Sequence, residues 1–99
     1  MSKIIFTVKY RIKEDEIDEF LKISKDLKLL VKGEGLINYD IYRLKGKNEF
    51  CEIYEFENYE AYENYDDTGE LLSALLKKLS TLIEEGSTEY SVFEKIIEA

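Results

Sequence analysis

Apolar and polar residues alternate with a period of two over the first ten or so positions. Residues 3–12 read KIIFTVKYRI. One face of an extended chain would carry the apolar set Ile4, Phe6, Val8, Tyr10 and Ile12. Strict alternation of this kind predicts a β-strand with one face directed toward a core.

Helical spacing of apolar residues follows in two longer segments. Residues 14–32 carry acidic residues in the first turn and an apolar stripe, so they predict a helix that the glycines after it end, with Gly33 as the residue just past its C-terminus. Residues 68–84 predict a second helix, with Asp67 and Glu70 as a capping box. A shorter helix is predicted over residues 58–65, with Asn58 as its N-cap.

Three further strands are predicted over residues 36–43, 49–56 and 88–97. A short polar turn with a glycine, residues 45–48, joins the first two of these strands into an antiparallel hairpin. The resulting βαββαβ order is that of an α+β, ferredoxin-like fold with a four-stranded antiparallel sheet. Ninety-nine residues are expected to form a single domain over 1–99.

Both faces of this sheet carry apolar or tyrosine residues. The strand 36–43 has Leu36 and Tyr42 on one side and Ile37, Tyr39 and Ile41 on the other; the strand 49–56 sets Phe50, Tyr54 and Phe56 against Cys51 and Ile53. Two helices cover one face only, so the second face predicts a homodimer that buries the side away from the helices. The alternative is a sheet with scattered exposed tyrosines.

The charge balance narrows the classes of partner. The net charge is −8 at pH 7, so binding to nucleic acid or to an anionic membrane is not expected. An anionic substrate stays open, because one buried Arg or Lys can override the net field locally. The single cysteine, Cys51, predicts a small buried hydrophobe rather than a reactive thiol. No signal segment and no apolar run of membrane-spanning length stands out, and we expect a cytoplasmic protein.

Three stretches resemble the antibiotic biosynthesis monooxygenase family, small dimeric α+β-barrel proteins. They are VKYRIKEDEIDEFLKIS, GEGLINYDIYR and FCEIYEFENYEAYENYDDTGELLSALLKKL. The second matches the family pattern Gly-x-x-x-Tyr-Asp-x-Tyr-Arg at Gly35, Tyr39, Asp40, Tyr42 and Arg43. The resemblance covers nearly the whole chain and implies a dimeric α+β barrel.

The chain departs from the family at the positions where the family carries histidine. The family motif His-Leu-x-Thr-x-His-Phe falls on residues 65–71, and its usual Glu-Trp falls on Glu55 and Phe56. The haem-degrading branch has Trp at the position of Tyr65 and its haem-ligating His near Leu75. Since the chain contains no histidine, haem ligation through an axial histidine is excluded, whereas tyrosine ligation stays open.

The resemblance implies a function. No zinc-ligand spacing, phosphate-binding loop or Ser-His-Asp set occurs, so no metal site is predicted. Family members without metal or flavin oxidise electron-rich phenols or hydroquinones. We therefore expect a monooxygenase without cofactors that acts on a small aromatic or quinol-like compound in a pocket between sheet and helices. The alternative is a non-catalytic small-molecule-binding barrel that has lost the family's histidines.

A carboxylate or a tyrosine must then replace histidine as the base. Glu52 alternates with aromatic residues of its strand and is the predicted proton acceptor. Its alternative is an edge strand where Glu52 reaches solvent or pairs with a cross-strand Lys or Arg. Tyr65 is expected to orient the ring, or else to pack on a helix. Arg43 is expected to hold an anion, or else to form a surface or dimer salt bridge. The predicted substrate-binding set is Arg43, Tyr39, Tyr54 and Phe56.

Overall fold

A computed structural model describes residues 2–66 and 69–97 of the chain. Its elements are β1 (Ile4–Arg11), α1 (Ile17–Leu30), β2 (Leu36–Arg43), β3 (Glu49–Phe56), α2 (Tyr59–Glu63), α3 (Glu70–Ser80) and β4 (Glu89–Glu94), with a short 3-10 turn, Glu14–Glu16, before α1. The four strands form one antiparallel sheet in the order β2-β3-β1-β4. The predicted α+β, ferredoxin-like fold is confirmed.

Several helices and strands are shorter than predicted. α1 ends at Leu30 because Val31 is extended (φ −76°, ψ 103°) and buried, so Gly33 is not its cap. α3 ends at Ser80, and Leu82 is buried beyond it. β4 stops at Glu94. Asp67 and Thr68, on which the predicted capping box depended, lie outside the described residues.

The short helix begins where its cap predicts. The side chain of Asn58 accepts a 2.8 Å hydrogen bond from the backbone N–H of Ala61. This contact satisfies one of the donors that every helix leaves unpaired in its first turn. α2 is nevertheless shorter than predicted and ends at Glu63.

A β-bulge in β2 changes which residues share a face. Leu36 pairs with Phe56, whereas Tyr39 pairs with Tyr54, and the register shifts between Leu36 and Asn38. One extra residue reverses the alternation, so Leu36 lies on the same face as Tyr39. The prediction that grouped Leu36 with Tyr42 was therefore wrong, because regular alternation cannot reveal a bulge.

The core lies between one face of the sheet and the helices. α1 contributes Phe20, Ile23 and Leu27, and α3 contributes Leu72 and Leu79, all buried. Full burial of side chains of this size stabilises the fold by about 1.5–3 kcal/mol each. The ring centroid of Phe20 lies 4.3 Å from that of Phe50, which fixes α1 against the centre of the sheet.

None of the helices in the described residues is both long enough and apolar enough to cross a lipid bilayer.

The position just before β2 requires a glycine, Gly35, because of its backbone conformation and its close approach to α2. Its φ is +80°, and an added Cβ would lie 2.4 Å from the Cβ of Ala61 in α2. Gly46 has a similar φ of +77° but nothing within 4 Å of its Cβ position. Gly35→Ala should therefore lower the free energy of unfolding by about 1–3 kcal/mol more than Gly46→Ala, because only the first substitution overpacks.

Urea unfolding of both variants measures this difference. Equal losses would show that the contact between α2 and the start of β2 is not as close as the structure describes.

Candidate active site

Glu52 is a buried acid at the centre of the sheet. β3 lies between β2 and β1, and Glu52 is only 3% exposed. Its cross-strand partners are Val8 and Ile41, neither of which carries charge. The alternatives of an edge strand and of a cross-strand basic partner were both wrong, because β3 is an interior strand with apolar neighbours on its two sides.

Tyrosine hydroxyl groups from three strands surround this carboxyl group. Tyr39 Oη, from β2, donates a 2.7 Å hydrogen bond to Glu52 Oε1. Tyr54 Oη, two residues along β3, donates to the same oxygen at 3.2 Å. The hydroxyl of Tyr10, from β1, also interacts with the carboxyl group, although its geometry falls short of a regular hydrogen bond. A buried acid is thus surrounded by polar groups rather than left among hydrocarbons.

Burial decides the direction of the pKa of Glu52. Loss of hydration raises the pKa, and the contacts of the Tyr39, Tyr10 and Tyr54 hydroxyl groups oppose that rise without cancelling it. The pKa values of Tyr10 and Tyr39 are also raised, first by burial and then by the charge of Glu52. A carboxyl group whose pKa is moved toward neutrality can both accept and return a proton.

A cleft between α3 and the sheet reaches this carboxyl group. Its volume is about 580 Å³, which lies within the range of small-molecule sites. Leu76 and Leu79 of α3 form one wall. The sheet supplies Glu52 together with the aromatic side chains of Phe6, Tyr10, Tyr54 and Tyr90. A pocket between sheet and helices was predicted, and two of the predicted site residues, Glu52 and Tyr54, line this one.

Tyr65 and Phe56 lie in a second cleft. That cleft has a volume of about 430 Å³ and is also lined by Phe6 and by residues of α2. Tyr54, which lines the first cleft, packs against both residues: its ring centroid lies 5.8 Å from that of Tyr65 and 6.3 Å from that of Phe56. The structure therefore does not bring Tyr65 into the cleft that Glu52 lines. It places Tyr65 behind Tyr54 instead.

Tyr39 and Arg43 do not line the main cleft either. Tyr39 is buried and reaches the site only through its hydroxyl contact with Glu52. Arg43 lies at the β2–β3 turn, where Nε donates to the carbonyl of Lys47 at 2.9 Å and Nη2 donates to Asn48 Oδ1 at 2.8 Å. Its guanidinium also lies 5.5 Å from the ring centroid of Phe50. These contacts make Arg43 a turn residue.

Tyr10 is the functional candidate that the sequence did not single out. Its alternation with Phe6 and Val8 places it on the core face, but only the strand register sets it beside Glu52. Antiparallel pairing matches Tyr10 with Phe50 and Val8 with Glu52. The alternation in the sequence indicates that Tyr10 shares the core face. It does not indicate the strand register that brings Tyr10 into contact with Glu52.

No group of three or more Cys, Asp or Glu side chains that could hold a metal ion occurs within residues 2–66 and 69–97.

The chain is similar to known proteins in sequence and in fold. The family model for antibiotic biosynthesis monooxygenases matches residues 3–75. A conserved protein from Methanosarcina mazei is 22% identical, with a TM-score of 0.78 and coverage of 96% of this chain and 94% of that one. A Mycobacterium tuberculosis protein is 12% identical, with a TM-score of 0.79 and 99% coverage of both chains.

A third solved structure is described as a dimeric protein of unknown function with a ferredoxin-like fold, from Bacteroides fragilis. It is 18% identical, with a TM-score of 0.67 and coverage of 94% of this chain and 96% of that one. Likenesses at such low identity establish the fold. No curated protein matches the chain at a significant level.

The raised pKa of Glu52 predicts how stability depends on pH. The stabilising contribution of the protonated form is fully present below the ordinary pKa of 4.5 and is lost as pH rises through the raised folded value. Glu52→Gln keeps the shape and cannot ionise. Its free energy of unfolding should therefore rise relative to that of the original protein as pH increases, by about 1–3 kcal/mol, the scale of an uncompensated buried polar group.

Thermal or urea unfolding of both proteins between pH 4 and pH 9 measures this difference. Asp40 and Glu19, whose pKa values are lowered by contacts with Lys28 and Lys78, are common to both proteins and cancel in the comparison. A stability difference that stays constant with pH would show that Glu52 does not have a raised pKa.

Proposed function

The chain belongs to the antibiotic biosynthesis monooxygenase family, and we propose that it is a cofactor-independent monooxygenase for a small phenolic or quinol-like compound. The observation that carries this proposal is the buried carboxyl group of Glu52 at the floor of an aromatic cleft. The carboxyl group supplies the base, and the walls supply an apolar place for an aromatic ring. Both are needed to oxidise a phenol without a prosthetic group.

The first step is proton transfer from the substrate hydroxyl to Glu52. The resulting phenolate passes one electron to dioxygen, giving a phenoxyl radical and superoxide. These two combine at a ring carbon, so that a C–O bond forms and the peroxide anion takes a proton back from Glu52. One carboxyl group therefore serves as base and then as acid, which a pKa raised above the ordinary glutamate value favours.

The second step breaks the O–O bond. Glu52 takes the proton from the ring carbon that carries the hydroperoxide, a carbonyl forms there, and hydroxide leaves and is protonated to water. One oxygen atom of dioxygen ends in the quinone and the other in water. The four electrons that dioxygen gains come from the phenol as it becomes a quinone, so no external reductant is required.

The tyrosines of the cluster hold the base rather than replace it. The pKa values of Tyr10 and Tyr39 are raised, so their hydroxyl groups remain protonated at neutral pH and act as hydrogen-bond donors. Tyr54 both touches Glu52 and lines the cleft, which suits it to orient the substrate hydroxyl. We propose a more distant role for Tyr65, which supports the Tyr54 ring from behind.

A second candidate function is binding without catalysis. The absence of any histidine favours it, because histidine is the side chain whose ordinary pKa best suits proton transfer at neutral pH. Under this alternative the cleft binds the aromatic compound and Glu52 serves only to hold the three strands together. Binding of phenols without any consumption of dioxygen would support it.

Replacing the base should abolish most of the activity. Glu52→Gln should lower kcat/KM for quinol oxidation by about 100-fold or more, the usual contribution of a general base. Glu55→Gln is the matched control, because Glu55 is in the same strand on the opposite face of the sheet. A loss below about threefold, or roughly 0.7 kcal/mol in barrier, would show that Glu52 is not the base.

The pH profile tests the same assignment independently. Glu52 must be ionised to accept a proton, so activity should rise with pH through its raised pKa and then level off. An oxygen electrode with a panel of hydroquinones records the profile. A rise that begins only at or above the ordinary tyrosine pKa of about 10 would assign the base to a tyrosine instead.

We propose that the protein is a homodimer joined through the face of the sheet that the helices leave open. This face carries the half-buried side chains of Ile5, Cys51 and Ile53 and the exposed side chains of Tyr42 and Phe93. The ion pairs Lys3–Glu55 and Lys9–Glu89 lie among them. Apolar and aromatic side chains mixed with paired charges suit a protein interface, and the relative from Bacteroides fragilis is described as dimeric.

A charge placed at the centre of this face should separate the subunits. We expect the protein to have about twice the chain mass of 11.7 kDa by light scattering, and Ile53→Lys to have the mass of one chain. Leu29→Lys is the control, because Leu29 is 68% exposed on α1 and lies away from this face. A single-chain mass for the original protein at micromolar concentration would overturn the dimer.

A further inference from the structure

The charged side chains that line the main cleft are all acidic. Three acidic residues line it, Glu52 at the floor and Glu84 and Glu85 at the mouth, and no Lys or Arg lies among the described lining residues. Lys78 of α3 pairs with Glu19 at 2.7 Å, and Lys9 of β1 lies on the opposite face of the sheet, where it pairs with Glu89 at 3.4 Å. A net charge of −8 adds to the same field. An anionic ligand would therefore enter against repulsion.

Only one of the two acids at the mouth is compensated. Glu84 forms an ion pair with Arg11, whose Nε lies 3.4 Å from Glu84 Oε2. Among residues 2–66 and 69–97, no ion pair involves Glu85. Glu85 is exposed and follows directly after Glu84 in the turn that ends at Gly86. An uncompensated carboxylate beside an open cleft attracts a positive group.

The walls of the cleft also favour a cation. The rings of Phe6 and Tyr90 lie nearly parallel, 7° apart, with centroids separated by 6.2 Å. Tyr90 is 70% exposed, so its ring stands at the entrance. The faces of aromatic rings attract organic ammonium groups, and carboxylates next to such rings strengthen that attraction.

A buried hydroxyl group at the floor of the cleft indicates which group a ligand would place there. Tyr10 is 1% exposed and lines the cleft, and its hydroxyl has no regular hydrogen-bond partner among the described residues. Glu52 lies beside it as a proton acceptor. A phenolic hydroxyl of a ligand satisfies both groups, because it can donate its proton to Glu52 and accept from Tyr10.

We infer that the cleft is selective for a phenolic compound that carries an ammonium group at the end away from its hydroxyl. The hydroxyl lies at Glu52 and Tyr10, the ring lies along Phe6 and Tyr90, and the ammonium group lies near Glu85. Compounds with the same ring but a carboxylate in place of the ammonium group are rejected. The inference rests on the proposed function only in using the same cleft, since it concerns binding and not oxidation.

Three catechols with the same ring test this selectivity. They are dopamine with an ammonium group, 4-ethylcatechol without charge, and 3,4-dihydroxyphenylacetate with a carboxylate. Binding is measured by calorimetry without dioxygen at pH 7 and low ionic strength, so that no turnover occurs. We expect the ammonium compound to bind at least tenfold more tightly than the carboxylate compound, with the uncharged compound between them. The difference should shrink in 0.5 M salt, which screens exposed charges.

Glu85→Gln identifies the residue responsible. It should bring the ratio of the ammonium to the carboxylate affinity at least threefold closer to one and leave the affinity for 4-ethylcatechol unchanged. Asp18→Asn is the matched control, because it makes the same change in net charge at an exposed position of α1 outside the cleft. It should leave the ratio unchanged.

Carboxylate binding as tight as ammonium binding, no binding of any catechol, or an equal effect of Asp18→Asn would overturn the inference. The oxygenase assay is separate from this outcome. Ordered binding without oxygen consumption would uphold the selectivity and reject the proposed monooxygenase, whereas turnover with no charge preference would do the reverse.

Discussion

The carboxyl group of Glu52 has to be accommodated at the centre of a sheet where only 3% of the residue reaches solvent. Transferring a carboxylate from water into an apolar interior is strongly unfavourable, and such a group either finds partners or stays protonated. Here both occur: Tyr39 and Tyr54 donate hydrogen bonds to one oxygen, and the pKa is still raised. The polar cluster links β1, β2 and β3, so that the position of the acid and the register of the sheet depend on each other.

The same constraint shapes the space in front of the acid. Phe6, Val8 and Tyr10 line the cleft from β1, and α3 closes it from the other side. The turn after α3 brings Glu84 and Glu85 to the mouth of the cleft, and of these two only Glu84 has an ion-pair partner among the described residues. The electrostatic potential at the mouth therefore favours positively charged ligands. The acid at the floor, the aromatic walls and the acidic mouth line one cleft. Under the proposals made above, each part sets a different requirement on the ligand: a proton to give, an aromatic ring and a positive charge.

Periodicity predicted the order of elements and the aromatic face that contains Glu52, because burial on one face of a strand leaves a direct trace in the sequence. It could not predict contacts that depend on register or irregularity. Tyr10 reaches Glu52 only through the pairing of β1 with β3, and the bulge in β2 moves Leu36 to the face of Tyr39. The place of Tyr65 behind Tyr54 follows from how α2 packs on the sheet, for which local sequence carries no signal. Arg43 matched a family pattern, yet its partners are the backbone and Asn48 of its own turn.

The protonation state of Glu52 tests the account most directly. Selective ¹³C labelling of glutamate side chains, with Glu52→Gln to assign the resonance, allows the carboxyl carbon to be followed by NMR as pH is varied. The Glu52 resonance should titrate clearly above the ordinary glutamate pKa of 4.5. A Glu52 resonance that titrates at or below 4.5 would mean that the tyrosine hydrogen bonds outweigh burial, and would contradict the assignment of this group as the proton acceptor of the cleft.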